Sequence, residues 1–422
     1  MPPPPLQLPV LQNWSCHNCG GCCKQHAIEV TLEERRRIES QNWIGQQGFE
    51  PGVKLFTPFG PPWNRRYRLA HRADGSCIFL DDKGLCRIHA KFGEPAKPLA
   101  CRIYPYAFHP AGSKVTVSLR YSCPSVVANL GKSLAENKAE LQTLERLVVP
   151  EGAEKMPPPE VSPGQRLDWK DFLQFPRALD DTFANDATPF PVRLLQALGL
   201  VNLIAQARFE KIQGPRLGEF LAIVRQAALE ETPTDFSRIA PPSKLGMMQF
   251  RQLVAQYARK DTDVELRQGW RARLKLLSAA IRFSKGTGQV PVLQTGFESV
   301  PFAEIERDDW RIPPEADELL TRYLRVKIQG LHFCGPAYYD VPFTEGFYSL
   351  ALIIPATLWI ARWWALSHGR SQLTLEDIQH ALTVADHHHG YSPIFGSGHF
   401  RSRVRQLHQL GDIPKLCVRY TR

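Results

Sequence analysis

Cysteine placement constrains this chain more than any other feature of its sequence. Eight of its ten cysteines fall within the first 123 residues. They are Cys16, Cys19, Cys22, Cys23, Cys77, Cys86, Cys101 and Cys123. The first four follow the order C-x2-C-x2-C-C, and packing alone does not explain so many thiols in one short loop. Soft thiolates at this density are the ligands that zinc and iron–sulfur clusters require, so we predict that these eight cysteines bind metal.

Disulfide bonds are the main alternative, because eight is an even number and a secreted chain would pair its cysteines. The N-terminus, Met1 to Leu8, has neither a basic start nor an apolar run long enough for a signal peptide. We therefore expect a cytoplasmic protein, in which thiols persist or bind metal. A bridge between the adjacent Cys22 and Cys23 would also be strained. A redox-sensing role stays open, although nothing in the spacing favours it.

The composition is that of an ordinary globular protein, with 422 residues and 43% hydrophobic content. This length predicts two or three domains. A formal net charge of +10 would suit a nucleic-acid partner, yet metal-bound thiolates offset a comparable positive charge. Charge therefore does not indicate nucleic acid as the partner, and no sequence feature determines the oligomeric state.

The most apolar segment runs from Phe347 to Ala361. It is shorter than the roughly 18 residues that a membrane span needs, and it contains Pro355. It also leads directly into Arg362. These features predict a buried helix at the centre of a globular domain and no membrane insertion.

Short strands and a turn are predicted around the first cysteines. Residues 26–30 predict a strand, and Thr31 with Glu34 forms a capping box that starts a helix over 32–43. Residues 81–84 predict the turn of a hairpin whose two strands carry Cys77 and Cys86. Gly20, in the first loop, lets the backbone fold tightly around sulfur.

Two further elements deliver the last cysteines. Cys101 lies in a short element over 97–105, where Arg102 and Tyr104 either line a substrate or phosphate pocket or pack locally. A strand over 114–121 leads to Cys123, and Pro124 starts a helix over 125–144. At this helix N-terminus, we expect the helix dipole to favour the Cys123 thiolate.

Prolines mark the boundary between two predicted domains. Residues 151–168 contain a run of three prolines and a Pro-Gly pair, which is typical of a linker. Residues 1–150 form the predicted cysteine-cluster metal-binding domain, and residues 169–422 form a predicted helical domain. Its predicted helices span 190–211, 217–231, 243–260, 270–284, 315–330, 345–367, 374–388 and 400–410. The predicted fold class is α+β, with a small cysteine-rich module of short strands and a hairpin followed by a larger all-α domain.

Several histidines are candidate nitrogen ligands. His89 and His109, near Cys86 and Cys101, are the strongest candidates, and His17 and His26 flank the first cysteine cluster. Thiolates already meet the coordination need of a metal, so ordinary surface or hydrogen-bonded histidine is the favoured interpretation of each.

The helical domain contains one unusual polar run, from Asp386 to His389. It is either a metal or acid–base site or the end of a helix that stops at Gly390. Three consecutive histidines on a helix point in different directions, so one helix cannot aim all of them at one ion. Cys334 and Cys417 stand alone and are predicted to be packing residues.

The cysteine motifs together resemble a known family. They are the run Cys16 to Cys23, the segments Cys77 to Leu80 and Cys86 to His89, and Pro98 to Pro105. This combination resembles the YkgJ-type cysteine-cluster family, which is described as a zinc- or iron-chelating domain. The longer layout, with Cys123 before a helix and an attached helical domain, is similar to the flagellin lysine-N-methylase group of that family.

The resemblance implies a bound zinc ion or [4Fe-4S] cluster. For the methylase-like members it also implies transfer of a methyl group from S-adenosylmethionine to a protein lysine. Two hypotheses follow. The first is a metal-cluster enzyme whose helical domain presents a protein substrate, and the second is a non-catalytic module that binds zinc or iron while its helical domain binds a partner.

Overall fold

The computed structural model describes residues 4–46, 48–259 and 269–422. Within these ranges, short strands and short helices alternate through the first part of the chain, and longer helices dominate the rest. The α+β prediction is therefore confirmed. Met1 to Pro3 and Lys260, which belong to predicted segments, lie outside the described residues.

Six strands form two small sheets in the N-terminal part. The strands are β1 (Leu6–Gln7), β2 (Glu29–Val30), β3 (Phe56–Phe59), β4 (Arg66–Leu69), β5 (Tyr106–Ala111) and β6 (Lys114–Leu119). One sheet has the order β1-β6-β5, with β1 parallel and β5 antiparallel to β6. The other has the order β2-β4-β3 and is antiparallel.

Six α-helices accompany these strands among the described residues. They are α1 (Gly21–Gln25), α2 (Leu32–Glu39), α3 (Arg87–Phe92), α4 (Leu99–Ile103), α5 (Pro124–Val127) and α6 (Lys138–Val148). The predicted capping box of α2 is confirmed, because Glu34 N donates to Thr31 Oγ1 at 3.1 Å and Thr31 N donates to Glu34 Oε2 at 2.9 Å. The second Glu34 oxygen accepts from Leu99 N at 2.6 Å. The capping residue therefore also ties α2 to the helix that carries Cys101.

The predicted hairpin is correct in its turn and wrong in both strands, because residues 77–80 form only isolated bridges and a turn. The chain reverses over residues 81–84, but only Leu80 and Cys86 pair across it, as an isolated bridge. The chain then enters α3 instead of continuing as a strand. Apolar residues at 85, 88 and 92 follow helical spacing, and Ile88 is buried on the inner face of α3.

The predicted helix over 125–144 is also wrong, because it divides into α5 and α6. Asn129 and Gly131 between them have φ of +54° and +99°. These left-handed conformations are incompatible with a continuous α-helix. A β carbon at Gly131 would lie 2.4 Å from Ser15 Oγ, and Ser15 N donates to Leu130 O at 3.0 Å. The break lets the segment that precedes Cys16 dock against the loop that follows Cys123.

Twelve α-helices follow in the described part of the chain after residue 168. They are α7 (Trp169–Phe172), α8 (Gln174–Phe183), α9 (Phe190–Gln206), α10 (Pro215–Glu231), α11 (Lys244–Ala258), α12 (Gly269–Lys285), α13 (Phe302–Ile305), α14 (Ala316–Gln329), α15 (Phe343–Ser367), α16 (Leu375–His388), α17 (Gly398–Gln409) and α18 (Asp412–Thr421). All eight predicted helices are present with shifted ends. The prediction missed α7, α8, α13 and α18.

Helix α15 is the centre of the helical part. By length and composition alone it is apolar enough to cross a membrane, and among the described residues no other helix is. Its most apolar stretch is 89% buried inside the protein, however. The prediction of a core helix is confirmed.

The main hydrophobic core extends across the predicted domain boundary. It includes Tyr106 and Val117 from the β5-β6 sheet as well as residues up to Tyr420. A second, smaller core runs from Val30 to Ile88. The predicted linker is packed as well, since Phe343 N donates to Glu160 O at 2.8 Å. The division at residue 150 therefore stays a prediction.

A buried polar seam joins β6 to α14 and α16. Lys327 and Asp386 form an ion pair at 2.7 Å with no exposure of either side chain. Lys327 also donates to Leu119 O at 3.1 Å, while Asp386 accepts from the backbone N–H groups of Tyr121 at 2.5 Å and Ser122 at 3.2 Å. These bonds hold the two residues that directly precede Cys123.

Buried histidines beside this seam make stability depend on pH. Burial and the nearby Lys327 charge lower the pKa of His109 from 6.5 to about 4, and its ring packs 4.9 Å from His332. The unfolded chain therefore binds more protons than the folded chain between pH 6.5 and 4, so stability falls as the pH falls through that window.

We expect His109→Gln to reduce the slope of unfolding free energy against pH by about 1.4 kcal/mol per pH unit between those limits. Urea unfolding at several pH values measures this slope. The exposed His399 provides the control, because His399→Gln removes a solvent-accessible histidine and leaves the buried ones in place. Equal slopes for wild type and His109→Gln would disprove the assignment.

Candidate metal centre

One cavity of about 890 Å³ is lined by all eight cysteines of the predicted metal site. Cys16 and Cys123, at the two ends of the cysteine module, both reach it. The segments that bring them together are α1, the turn before α3, α4 and the start of α5. The fold therefore gathers thiols that are widely separated in the sequence.

A sharp turn places the adjacent Cys22 and Cys23 on this cavity. Gly20 has a φ of +67°, which favours glycine, and it precedes α1. Cys23 N donates to Gly20 O at 3.0 Å. The sulfur atoms of Cys22 and Cys23 lie 4.0 Å apart. Zinc–sulfur bonds of about 2.3 Å put two ligand sulfurs of a tetrahedral site at roughly 3.8 Å, so the spacing suits two ligands of one metal.

The second pair of cysteines packs directly against this loop. Cys77 N donates to Cys23 O at 2.7 Å, and Cys86 is the residue before the first turn of α3. A β carbon at Gly84 would lie 2.3 Å from Asn18 O. Only glycine allows this approach of the turn over 81–84 to the loop over 16–23, and Gly84 forms part of the cavity wall.

Burial controls the protonation of several of these thiols. It raises the pKa of Cys77 to about 12 and the pKa of Cys101 well above its ordinary value. It also raises the pKa of Cys123. The backbone N–H groups of Ser125 and Val126 lower this pKa, as expected at a helix N-terminus, but desolvation outweighs them. Cys22 differs, since the hydrogen bond from Cys23 and the charge of Lys97 lower its pKa to about 7.

The thiols divide into two groups by their mutual electrostatic effects. Cys22, Cys77 and Cys86 raise the pKa of Cys101, and Cys23 responds to the same three neighbours. Cys123 instead responds to Cys19. Within the described ranges, no three His, Cys, Asp or Glu side chains stand together in a geometry that could hold a metal ion. The donor set suits zinc or an iron–sulfur cluster, and side-chain rotation must complete its geometry.

Polar and aromatic side chains also line the cavity. Arg102 and Tyr104 of the cysteine module line it, and His387, His388 and Tyr391 extend to it from the helical part. Arg102 pairs with Glu94 at 2.7 Å, and the Tyr104 hydroxyl lies 3.3 Å from Ser122 Oγ. The helical part of the chain therefore completes the cavity.

The four candidate histidines have different positions. His89 and His26 line the cavity, and the His26 ring stacks on His387 at 4.7 Å. His17 is exposed and bonds to Ser15 O at 2.8 Å, and His109 is buried away from the cavity. Among these four histidines, only His26 and His89 are therefore positioned to donate a nitrogen ligand to a metal in the cavity.

The histidine run and the two isolated cysteines of the helical part can also be located relative to the cavity. His387 and His388 line the cavity while His389 stacks on Tyr338 at 4.6 Å, so the three histidines point in different directions as predicted. Cys334 and Cys417 lie in the main core, as predicted. Sequence reasoning missed Arg120 and Tyr391 as cavity residues, and no motif marks either of them. The histidine run at the end of α16 is the one sequence signal that this end of the helix contributes to the cavity.

Comparison with known families agrees with this geometry. Residues 15–124 match the CxxCxxCC family, described as "Putative zinc- or iron-chelating domain". The matched segment is the cysteine-rich module. It contains all eight cysteines that line the cavity. The resemblance proposed from the motifs is confirmed.

A curated relative extends the comparison. The chain is 25% identical over 124 residues to the "Flagellar biosynthetic protein FliU" of Salmonella muenchen. The aligned part covers 28% of this chain and 71% of that protein. No solved structure matches the chain.

Proposed function

We propose that this chain is a cytoplasmic metal- or iron–sulfur-cluster protein that transfers a methyl group from S-adenosylmethionine to a lysine of a protein substrate. The observation that carries the metal part is the convergence of eight thiols on one cavity. The methyl-transfer part is supported by the resemblance to the flagellin lysine-N-methylase group and by the similarity to FliU.

The metal would be held by Cys22, Cys23, Cys77, Cys86 and Cys101, with Cys16, Cys19 and Cys123 as a second set of donors. A bound zinc ion would supply a Lewis acid, and a bound cluster would supply electron transfer. The protein contributes burial that excludes water and the Lys97 ammonium, whose charge acts on Cys22 and Cys101. This cation offsets the negative charge that thiolates accumulate when they bind metal.

Room for an organic molecule supports the enzymatic proposal. Ligand pockets typically measure about 300–1,000 Å³, and the cavity of about 890 Å³ is in the upper part of this range. The cavity is also lined by Tyr104, Tyr391 and His387, which are not among the proposed metal ligands. These side chains are therefore available to contact a second molecule.

Two measurements on anaerobically purified protein test this proposal. Quantitation of iron, sulfide and zinc should give at least one metal centre per chain. Calorimetric titration of the metal-loaded protein with S-adenosylmethionine should then give a dissociation constant in the micromolar to millimolar range that is typical of enzyme substrates, about 1 μM to 1 mM. Metal without any binding of S-adenosylmethionine would remove the methyl transfer and leave the non-catalytic zinc- or iron-binding module.

A further inference from the structure

The cavity has two chemically distinct ends. The first, the thiol end, consists of the eight cysteines and Lys97. The second, the arginine end, consists of Arg120, His26, Tyr104, Tyr391 and His387. Tyr104 lies between the two ends, because Cys22, Cys123 and Arg120 all affect its pKa.

Arg120 is held rigidly on the wall of the arginine end. Its guanidinium lies 3.6 Å from the ring centroid of Tyr391 and 5.6 Å from that of Tyr104. Nη2 donates to His387 O at 3.4 Å, which joins the arginine to the end of α16. Two aromatic rings and a backbone carbonyl therefore orient the guanidinium group of Arg120.

Among the described residues, the charge of Arg120 has no carboxylate partner, and one of its N–H donors has no acceptor. Arg102, on the same cavity, pairs with Glu94 at 2.7 Å, whereas Arg120 forms no ion pair within the described parts of the chain. Its Nε is buried and donates no hydrogen bond. A buried donor without an acceptor costs free energy, so this end of the cavity favours a ligand that brings an acceptor.

A second unsatisfied group lies at the same end. His26 is 8% exposed, and its Nε2 is buried without a hydrogen-bond partner. An imidazole offers at least one N–H donor in either protonation state, so this ring can add a directional contact.

The presence of Arg120 in the cavity is not explained by a need to neutralise the negative charge of metal-bound thiolates. Lys97 is the cation that acts on Cys22 and Cys101, and Arg120 acts instead on His26, Tyr104 and Tyr391. One guanidinium fork matches one planar carboxylate in charge and geometry, whereas a phosphate dianion would require more cations than this end supplies. We propose that the arginine end of the cavity binds the carboxylate of a small organic molecule, with Arg120 as its main partner and His26 as a second donor.

A pair of probes that differ by one carboxylate tests this site. The choice of probes rests on the proposed methyl transfer: they are S-adenosylmethionine and its decarboxylated analogue, which keeps the adenosine and the sulfonium. We expect metal-loaded wild type to bind S-adenosylmethionine about 10- to 100-fold more tightly than the analogue, the usual effect of a charge-assisted hydrogen bond. Arg120→Met should abolish this preference, and Arg120→Lys should restore part of it. Arg225→Met is the control, because Arg225 pairs with Asp181 at 3.5 Å outside the cavity, and it should keep the preference.

The outcomes separate this site from the proposed function. Equal affinity of wild type for the two probes overturns the carboxylate site while methyl transfer still stands. If neither probe binds, methyl transfer is removed, and acetate at matched ionic strength becomes the probe. Thermal stabilisation by acetate of wild type, but not of Arg120→Met, then supports the carboxylate site, and equal stabilisation of both proteins overturns it.

Discussion

Replacement of Cys77 by serine is expected to give purified protein that has lost most of its metal. Cys77 is buried, its backbone is bonded to Cys23, and its sulfur lies in the larger group of thiols. Loss of an outer hydrogen-bond partner costs about 10- to 100-fold in metal affinity, so loss of a thiolate ligand should cost at least about 100-fold. Elemental analysis of the variant, with metal expressed per chain, measures this effect.

The same substitution should also destabilise the protein. Structural zinc sites contribute roughly 10–16 kcal/mol of binding free energy, and this free energy is linked to folding. We expect chelator-treated wild type and Cys77→Ser to unfold at similar, lowered temperatures. Cys334→Ala removes a buried thiol from the main core, outside the cavity, and should retain full metal content. Equal metal content in Cys77→Ser and Cys334→Ala would refute the ligand assignment.

Replacement of Asp386 by alanine is expected to destabilise the protein by about 3–5 kcal/mol, the usual cost of leaving one charge of a buried pair uncompensated. The Lys327 ammonium would lose its partner at 2.7 Å with no exposure to solvent. The backbone N–H groups of Tyr121 and Ser122 would lose their acceptor as well. Urea unfolding of the metal-loaded variant measures the difference.

A second substitution and a surface control make this test specific. Lys327→Met added to Asp386→Ala should recover part of the lost stability, because it removes the buried charge that has no partner. The exposed pair of Arg225 and Asp181, at 3.5 Å, provides the control. Asp181→Ala should change stability by less than about 1 kcal/mol. A change of that small size for Asp386→Ala would contradict the assigned role of the buried seam.

Local sequence signals were sufficient for elements that a few neighbouring residues determine. The capping box of Thr31 and Glu34 is such a case, because both hydrogen bonds form within four residues. The long apolar helix α15 is another, since its apolar residues exceed what any surface helix would carry. The eight cysteines were predicted as metal ligands from their residue type and their density in the sequence alone. Their position around one cavity is a property of the fold.

Elements that depend on distant contacts could not be predicted in this way. The break between α5 and α6 exists because Ser15, far away in sequence, packs against Gly131. Arg120 became a cavity residue only through its contacts with Tyr391 and His387, which follow from the docking of α16 against residues 121 and 122. Neither residue carries a motif, so only the three-dimensional arrangement identifies the arginine end.

X-ray absorption spectroscopy at the metal edge of anaerobically purified protein tests the central claim most directly. The convergence of thiols on one cavity predicts a first coordination shell dominated by sulfur, with metal–sulfur distances of about 2.3 Å and about four sulfurs per metal. A shell made of oxygen and nitrogen, or protein that contains no stoichiometric metal, would contradict it.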